Sequence, residues 1–164
     1  MNIFDPTTFL GIHTDLSVIA IIAGIVVLIG LLQAERLGTW TALFLLTAVL
    51  TDVTGFFLPA AKLLPSHIVG IISLVVLIPA ILGRYVYHLA GAWRPIYVVG
   101  ALVTLFFLVF VAIAQSFAKI PSLHPLAPTQ SEPPFAIAQL VNLALFLLLG
   151  YLSLRRFRPV LPRH

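Results

Sequence analysis

The sequence predicts an all-α membrane protein: a polytopic bundle of five transmembrane helices, with the N-terminus outside and the C-terminus cytoplasmic. Three observations predict it. The 164 residues are 61% hydrophobic and 9% charged, with a mean hydropathy of +1.15, whereas a soluble domain carries about 25% charged residues. Fourteen charged side chains cannot cover the outside of so apolar a core in water. The apolar residues gather into five runs of 18 to 24 residues, each near the length that crosses a ~30 Å hydrocarbon layer at 1.5 Å per residue. The basic residues are distributed unevenly around those runs.

The first 15 residues hold two aspartates and no Lys or Arg, which is not the basic start of a signal peptide. Phe4, Phe9 and Leu10 beside Pro6 suggest a short segment at the membrane surface. Residues 15–32 form the first predicted span, interrupted by Gln33, Glu35, Arg36 and Gly38. Trp40 opens the second, 40–58, which Pro59 ends. Ser66 is a candidate N-cap for the third, 66–88, inside which Pro79 removes a backbone donor and predicts a kink. Pro95 suits a first helical position, and the fourth span covers 95–118. Residues 119–134 contain prolines at 121, 125, 128, 133 and 134 and predict a stiff outer loop, a lid over the bundle. Residues 135–154 are the fifth span. No repeat divides the chain, so 1–164 reads as one transmembrane domain.

Five spans place the termini on opposite sides. With the C-terminus inside, Arg36, Arg84, Arg94, Arg155, Arg156, Arg158 and Arg163 collect in the cytoplasm, against Lys62 and Lys119 outside. That seven-to-two split obeys the positive-inside rule. The net charge of +4 is therefore a topological signal and implies no nucleic-acid partner. Arg84 and Arg94, among aromatics at the inner boundary, are candidates for lipid headgroup contact.

The intramembrane polar residues are lopsided. Asp52 lies seven residues before Pro59, about 10 Å below the outer end of its helix. His67 and Gln115 lie near the same side, and Gln139 and Asn142 share one face of the fifth helix at a similar depth. A carboxylate near the bilayer centre costs about 2.5–3.5 kcal/mol on insertion scales, so Asp52 should face protein. Thr51 lies alongside it. These residues, with Glu132 of the loop, form the predicted ligand site; the alternative is that Asp52 pins helices together through Ser66, His67 or Asn142. Asp52, His67, His124 and Glu132 are also candidate ligands for a divalent metal, although no metal-binding spacing supports them. The absence of cysteine excludes iron–sulfur chemistry. No second histidine at the depth of His67 pairs with it for bis-histidine haem. No phosphate-binding glycine loop or nucleophile elbow occurs, and the sequence leans away from an enzyme.

The segments Thr51-Asp52-Val53-Thr54-Gly55, Ser66-His67-Ile68-Val69-Gly70, Gly91-Ala92-Trp93-Arg94 and Ala127-Pro128-Thr129-Gln130-Ser131-Glu132-Pro133-Pro134-Phe135 resemble an uncharacterised family of small bacterial inner-membrane proteins. The resemblance covers about residues 47–158. It implies a multi-pass protein of the bacterial inner membrane and carries no activity, cofactor or catalytic residue with it. The residues themselves point first to a one-sided site for a small ligand: a quinone head group, a lipid or a metal ion. They also fit an accessory subunit of a larger membrane complex, or a homo-oligomer. A channel or secondary transporter ranks third, because the inner half offers few polar groups.

Overall fold

The computed structural model describes residues 8–58 and 65–158. Phe4, Pro6, Pro59, Lys62, Arg163 and the side chain of Ser66, to which the sequence assigned roles, lie outside the described residues. The described chain is helical: α1 (Phe9–Gln33), α2 (Gly38–Gly55), α3 (Pro65–Ile81), a π-helical turn (Leu82–Val86), α4 (Trp93–Lys119), a 3₁₀ turn (His124–Leu126) and α5 (Pro133–Arg156). The five expected helices are present, with shifted ends.

The first shift has a local cause. The Thr8 hydroxyl accepts a hydrogen bond from the Gly11 N–H at 3.0 Å and caps α1 six residues before the predicted start. The helix thereby takes in His13 and Asp15. At its far end Ala34 adopts a left-handed conformation (φ 61°), and its N–H bonds the Gly30 and Leu31 carbonyls. The chain then reverses within four residues, and α2 returns antiparallel along α1.

Among the described residues, four helical stretches are long and apolar enough to cross a membrane: Phe9–Gln33, His67–Val86, Trp93–Lys119 and Pro133–Arg156. α2 is the exception, because its 18 residues include Asp52 and five threonines. Its polar content turns inward: Thr41, Thr47 and Thr51 are buried among protein side chains. The Thr47 and Thr54 hydroxyls donate to the carbonyls of Leu43 (2.7 Å) and Leu50 (2.6 Å), one turn back on α2 itself.

The core lies between α1, α2 and α4, where Ala20, Ala23 and Val27 meet Phe44 and Ala48, and Val98, Ala101 and Leu105 close the third side. α3 packs on α4 through small residues: a Cβ built on Gly100 would stand 2.7 Å from the Ala80 Cβ. α5 is peripheral, with only Asn142 and Ser153 buried.

Pro79 stays within α3, and three residues after it, at Leu82, the helix widens into the π turn. This turn brings Arg84 inside. Its Nη2 donates to the Arg36 carbonyl at 2.7 Å, and its guanidinium lies 5.7 Å from the centre of the Tyr97 ring. Arg94 Nη1 donates to the carbonyls of Leu154 (3.1 Å) and Phe157 (2.6 Å) at the end of α5. The two arginines expected at lipid headgroups therefore have protein partners. The physical reason is that helix ends leave carbonyls without intrahelical donors, and a cation nearby satisfies them. The bundle thus has an arginine end and, opposite it, a loop end.

Candidate functional site

At the loop end, α1, α2, α3 and α4 enclose a cavity of about 430 Å³, within the size range of small-molecule sites. α1 contributes His13, Thr14 and Ser17; α2 contributes Thr51, Asp52 and Gly55; α3 contributes His67 and Gly70; α4 contributes Gln115, Ser116 and Lys119. The one-turn spacings His13 to Ser17 and Gln115 to Lys119 stack polar groups along facing helices. Deeper in, the walls are apolar: Val18 and Ile21 on α1, Phe107, Leu108 and Val111 on α4.

Two glycines face these groups across the helix contacts. A Cβ on Gly55 would stand in ordinary contact, 3.4 Å from the His13 Cε1, and one on Gly70 would stand 3.5 Å from the Phe56 ring. Phe56 in turn stacks on His67, with ring centres 5.9 Å apart and planes 21° from parallel. Asp52 is held near the buried Ser73 of α3. Its Oδ2 is buried with no hydrogen-bond partner.

The hydrogen-bond inventory decides what the cavity offers. His13 Nδ1 lies 2.9 Å from the Thr54 hydroxyl oxygen. That hydroxyl spends its one hydrogen on the Leu50 carbonyl, so it accepts from Nδ1–H, and the neutral His13 ring keeps Nε2 as an acceptor. The hydroxyls of Thr14, Ser17 and Ser116 likewise donate to the carbonyls of Leu10, His13 and Ala112 on their own helices, each at 2.8 Å. They turn only lone pairs outward. Donors come from the Gln115 amide and the Lys119 ammonium of α4 and from the unpartnered Thr51 hydroxyl of α2.

Of the sequence-predicted ligand residues, Thr51, Asp52, His67 and Gln115 meet at this cavity. Gln139, Asn142 and Glu132 do not, since no residue of α5 lines it. Gln139 Nε2 donates to the Phe110 carbonyl at 3.0 Å, its Oε1 is buried without a partner, and the Asn142 Nδ2 is buried likewise. Glu132 organises the loop: it accepts from the Thr129 hydroxyl (2.8 Å) and from the N–H groups of Thr129 (3.2 Å) and Ser131 (3.1 Å). Partial desolvation raises the pKa of its carboxyl, but these hydrogen bonds together outweigh it and hold the group below the usual carboxylate range.

The loop itself is not the expected lid. Beyond Ile120 none of its residues lines the cavity. It folds back on the α4 and α5 ends instead, with Ala127 fully buried, Gln130 Nε2 donating to the Ala114 carbonyl at 2.9 Å, and Phe117 edge-on to Phe135. The metal reading fares no better: among the described residues no three His, Asp or Glu side chains gather as a metal site. His124 faces the Phe117 carbonyl, and Glu132 is engaged within the loop. The sequence reading places His13 outside the spans and gives Ser17 and Lys119 no part in the site; the Thr8 cap is the signal that draws His13 into α1. No protein-family model, curated protein or solved structure matches the chain.

Proposed function

We propose that the protein is a multi-pass protein of the bacterial inner membrane that binds a small amphiphilic molecule, a quinone or a lipid, in the loop-end cavity. In this reading α2 is the fifth span, since its polar residues are shielded by α1 and the core, and the arginine end lies in the cytoplasm by the positive-inside rule. One observation carries the proposal: His13, Asp52, His67, Gln115 and Lys119, from four different helices, line a single cavity whose deeper walls are apolar. Bringing an acidic and several basic or amide groups into one recess of an otherwise apolar bundle costs desolvation energy, which a bound polar head offsets.

The test is mass spectrometry of lipid extracts from gently purified wild-type protein and from Val111→Trp, which fills the apolar wall. A small amphiphile enriched with the wild type and lost with the variant supports the reading. Identical extracts from both overturn it.

A second reading, an accessory subunit or homo-oligomer, rests on α5. That helix exposes Leu140, Val141, Leu147 and Leu148, a face that lipid or another helix would cover. Its test is the mass of the particle in nanodiscs: a single chain counts against it.

A further inference from the structure

The cavity has a direction and a hydrogen-bonding sign. Resting on the amphiphile-binding reading above, we infer that the occupant is a neutral, hydroxyl-headed amphiphile with one chain. Its head sits at the level of His13 and Asp52, and its chain descends between α1 and α4 toward the bilayer middle.

The direction follows from the two long walls. Ile21 lies eight residues beyond His13 on α1, and Phe107 lies eight residues before Gln115 on the oppositely running α4. Each wall therefore passes from polar to apolar over about 12 Å. The gradient matches a head near the membrane surface and a chain pointing inward.

The sign follows from the acceptors. On the α1 and α2 side the Asp52 Oδ2 is buried and unpartnered, His13 retains a ring acceptor, and the Thr14 and Ser17 hydroxyl hydrogens are already spent; against these acceptors stands one free donor, the unpartnered Thr51 hydroxyl. A head that supplies hydrogens satisfies these groups; a head with only acceptors, or with a negative charge, leaves Asp52 facing another lone pair. On the α4 side Gln115 and Lys119 donate, so a hydroxyl or ether oxygen on the head's other edge is matched as well. Lys119 is the last residue of α4, whereas Asp52 lies a turn inside the end of α2. That order, cation outermost, is the reverse of what a phosphoethanolamine head requires, with its ammonium outside its phosphate.

A hydroxyl head has two common sources in a membrane, a quinol ring and a glycerol ester, and the experiment separates them. Equilibrium binding is measured in nanodiscs of zwitterionic lipid with four probes: decyl-hydroquinone, decyl-benzoquinone, monolaurin and laurate. The hydroquinone and the benzoquinone share one skeleton and differ in the two hydroxyl hydrogens. The expected result is that at least one hydroxyl-headed probe binds about tenfold or more tightly than both benzoquinone and laurate, the discrimination that satisfying an otherwise unpartnered buried acceptor supplies. The tighter of the two hydroxyl probes assigns the source. Asp52→Asn, whose amide both donates and accepts, shrinks the hydroquinone to benzoquinone ratio, a comparison made within one folded variant.

Benzoquinone or laurate binding as tightly as the hydroxyl probes, and still abolished by Val111→Trp, overturns the hydroxyl assignment and leaves the cavity reading standing. Failure of the wild type to bind any of the four, with Val111→Trp indistinguishable from it, overturns both.

Discussion

Replacing Gly100 by alanine tests the close packing of α3 on α4. A Cβ at Gly100 would meet the Ala80 Cβ at 2.7 Å, the Val76 carbonyl oxygen at 3.2 Å and the Ala80 Cα at 3.6 Å. Ordinary carbon–carbon contact is about 3.5–4.0 Å, so the shortfall at Ala80 is roughly 1 Å. Neither a methyl group nor a helix carbonyl has a rotamer that relieves it. One helix must move, and overpacking of this kind costs about 1–3 kcal/mol. The same substitution gains about 1 kcal/mol of helix propensity, which obscures the steric term if Gly100→Ala is measured alone. Gly150→Ala supplies the reference. It also sits mid-helix, but its added Cβ would find its nearest neighbour, a Leu102 methyl, at a comfortable 3.8 Å. Propensity cancels between the two variants, so Gly100→Ala is expected to be about 1–3 kcal/mol less stable than Gly150→Ala. The assay is thermal unfolding of both in one detergent, followed by far-ultraviolet circular dichroism. Equal midpoints, or a higher one for Gly100→Ala, would refute the close-packing argument.

Arg84→Met removes a charged hydrogen bond to the Arg36 carbonyl and the contact with the Tyr97 ring; a loss of about 2–4 kcal/mol is expected in the same unfolding assay. Arg84→Lys restores only part of it, because an ammonium lacks the planar fork that serves both partners. At the other end, the depressed pKa of Glu132 makes its contribution to loop order complete above the usual carboxylate range and lost as pH falls through the lowered folded value. Hydrogen exchange of the Thr129 and Ser131 amides should accordingly show protection at neutral pH that disappears in acid, while Glu132→Gln shows weak protection with no such transition. An acid-insensitive wild-type loop would count against this role.

The helices were legible because lipid as solvent imposes a coarse rule on composition, and five apolar runs of spanning length leave little choice. Their ends were less so. The start of α1 turns on one hydroxyl, that of Thr8, and the end of α3 on a π turn that no period in the sequence announces. α2 was found as a helix, yet its five threonines and Asp52 make it the one helix that hydropathy alone does not qualify as a span. The site was half legible for a related reason. Depth along a helix follows from counting residues, and the count puts Asp52, Gln115, Gln139 and Asn142 near one depth, which suggests a cluster. Azimuth around the bundle depends on which helices are neighbours. α5 packs outside α4, so Gln139 and Asn142 face a separate seam, whereas His13 comes into the cavity because α1 and α2 form a tight antiparallel pair.

The chemical character of the cavity depends on a further step that residue types do not reveal. Counted by type, His13, Thr14, Ser17, Thr51, Asp52, His67, Gln115, Ser116 and Lys119 form a balanced mixture of donors and acceptors. Helical geometry breaks that balance. A serine or threonine inside a membrane helix has a carbonyl one turn back within reach and no water competing for its hydrogen, so the hydroxyl can be committed to its own backbone, although the buried hydroxyls of Thr51, Thr104 and Ser153 are not. Of the four cavity hydroxyls, those of Thr14, Ser17 and Ser116 are committed in this way while that of Thr51 is left without a partner; Thr54 is committed too, and as a result fixes the proton of His13 on Nδ1. The recess is left richer in acceptors than its composition suggests, with the buried carboxyl of Asp52 the strongest of them. The selectivity expected of the site, for hydrogens supplied by the occupant, thus follows from backbone geometry acting on ordinary residues.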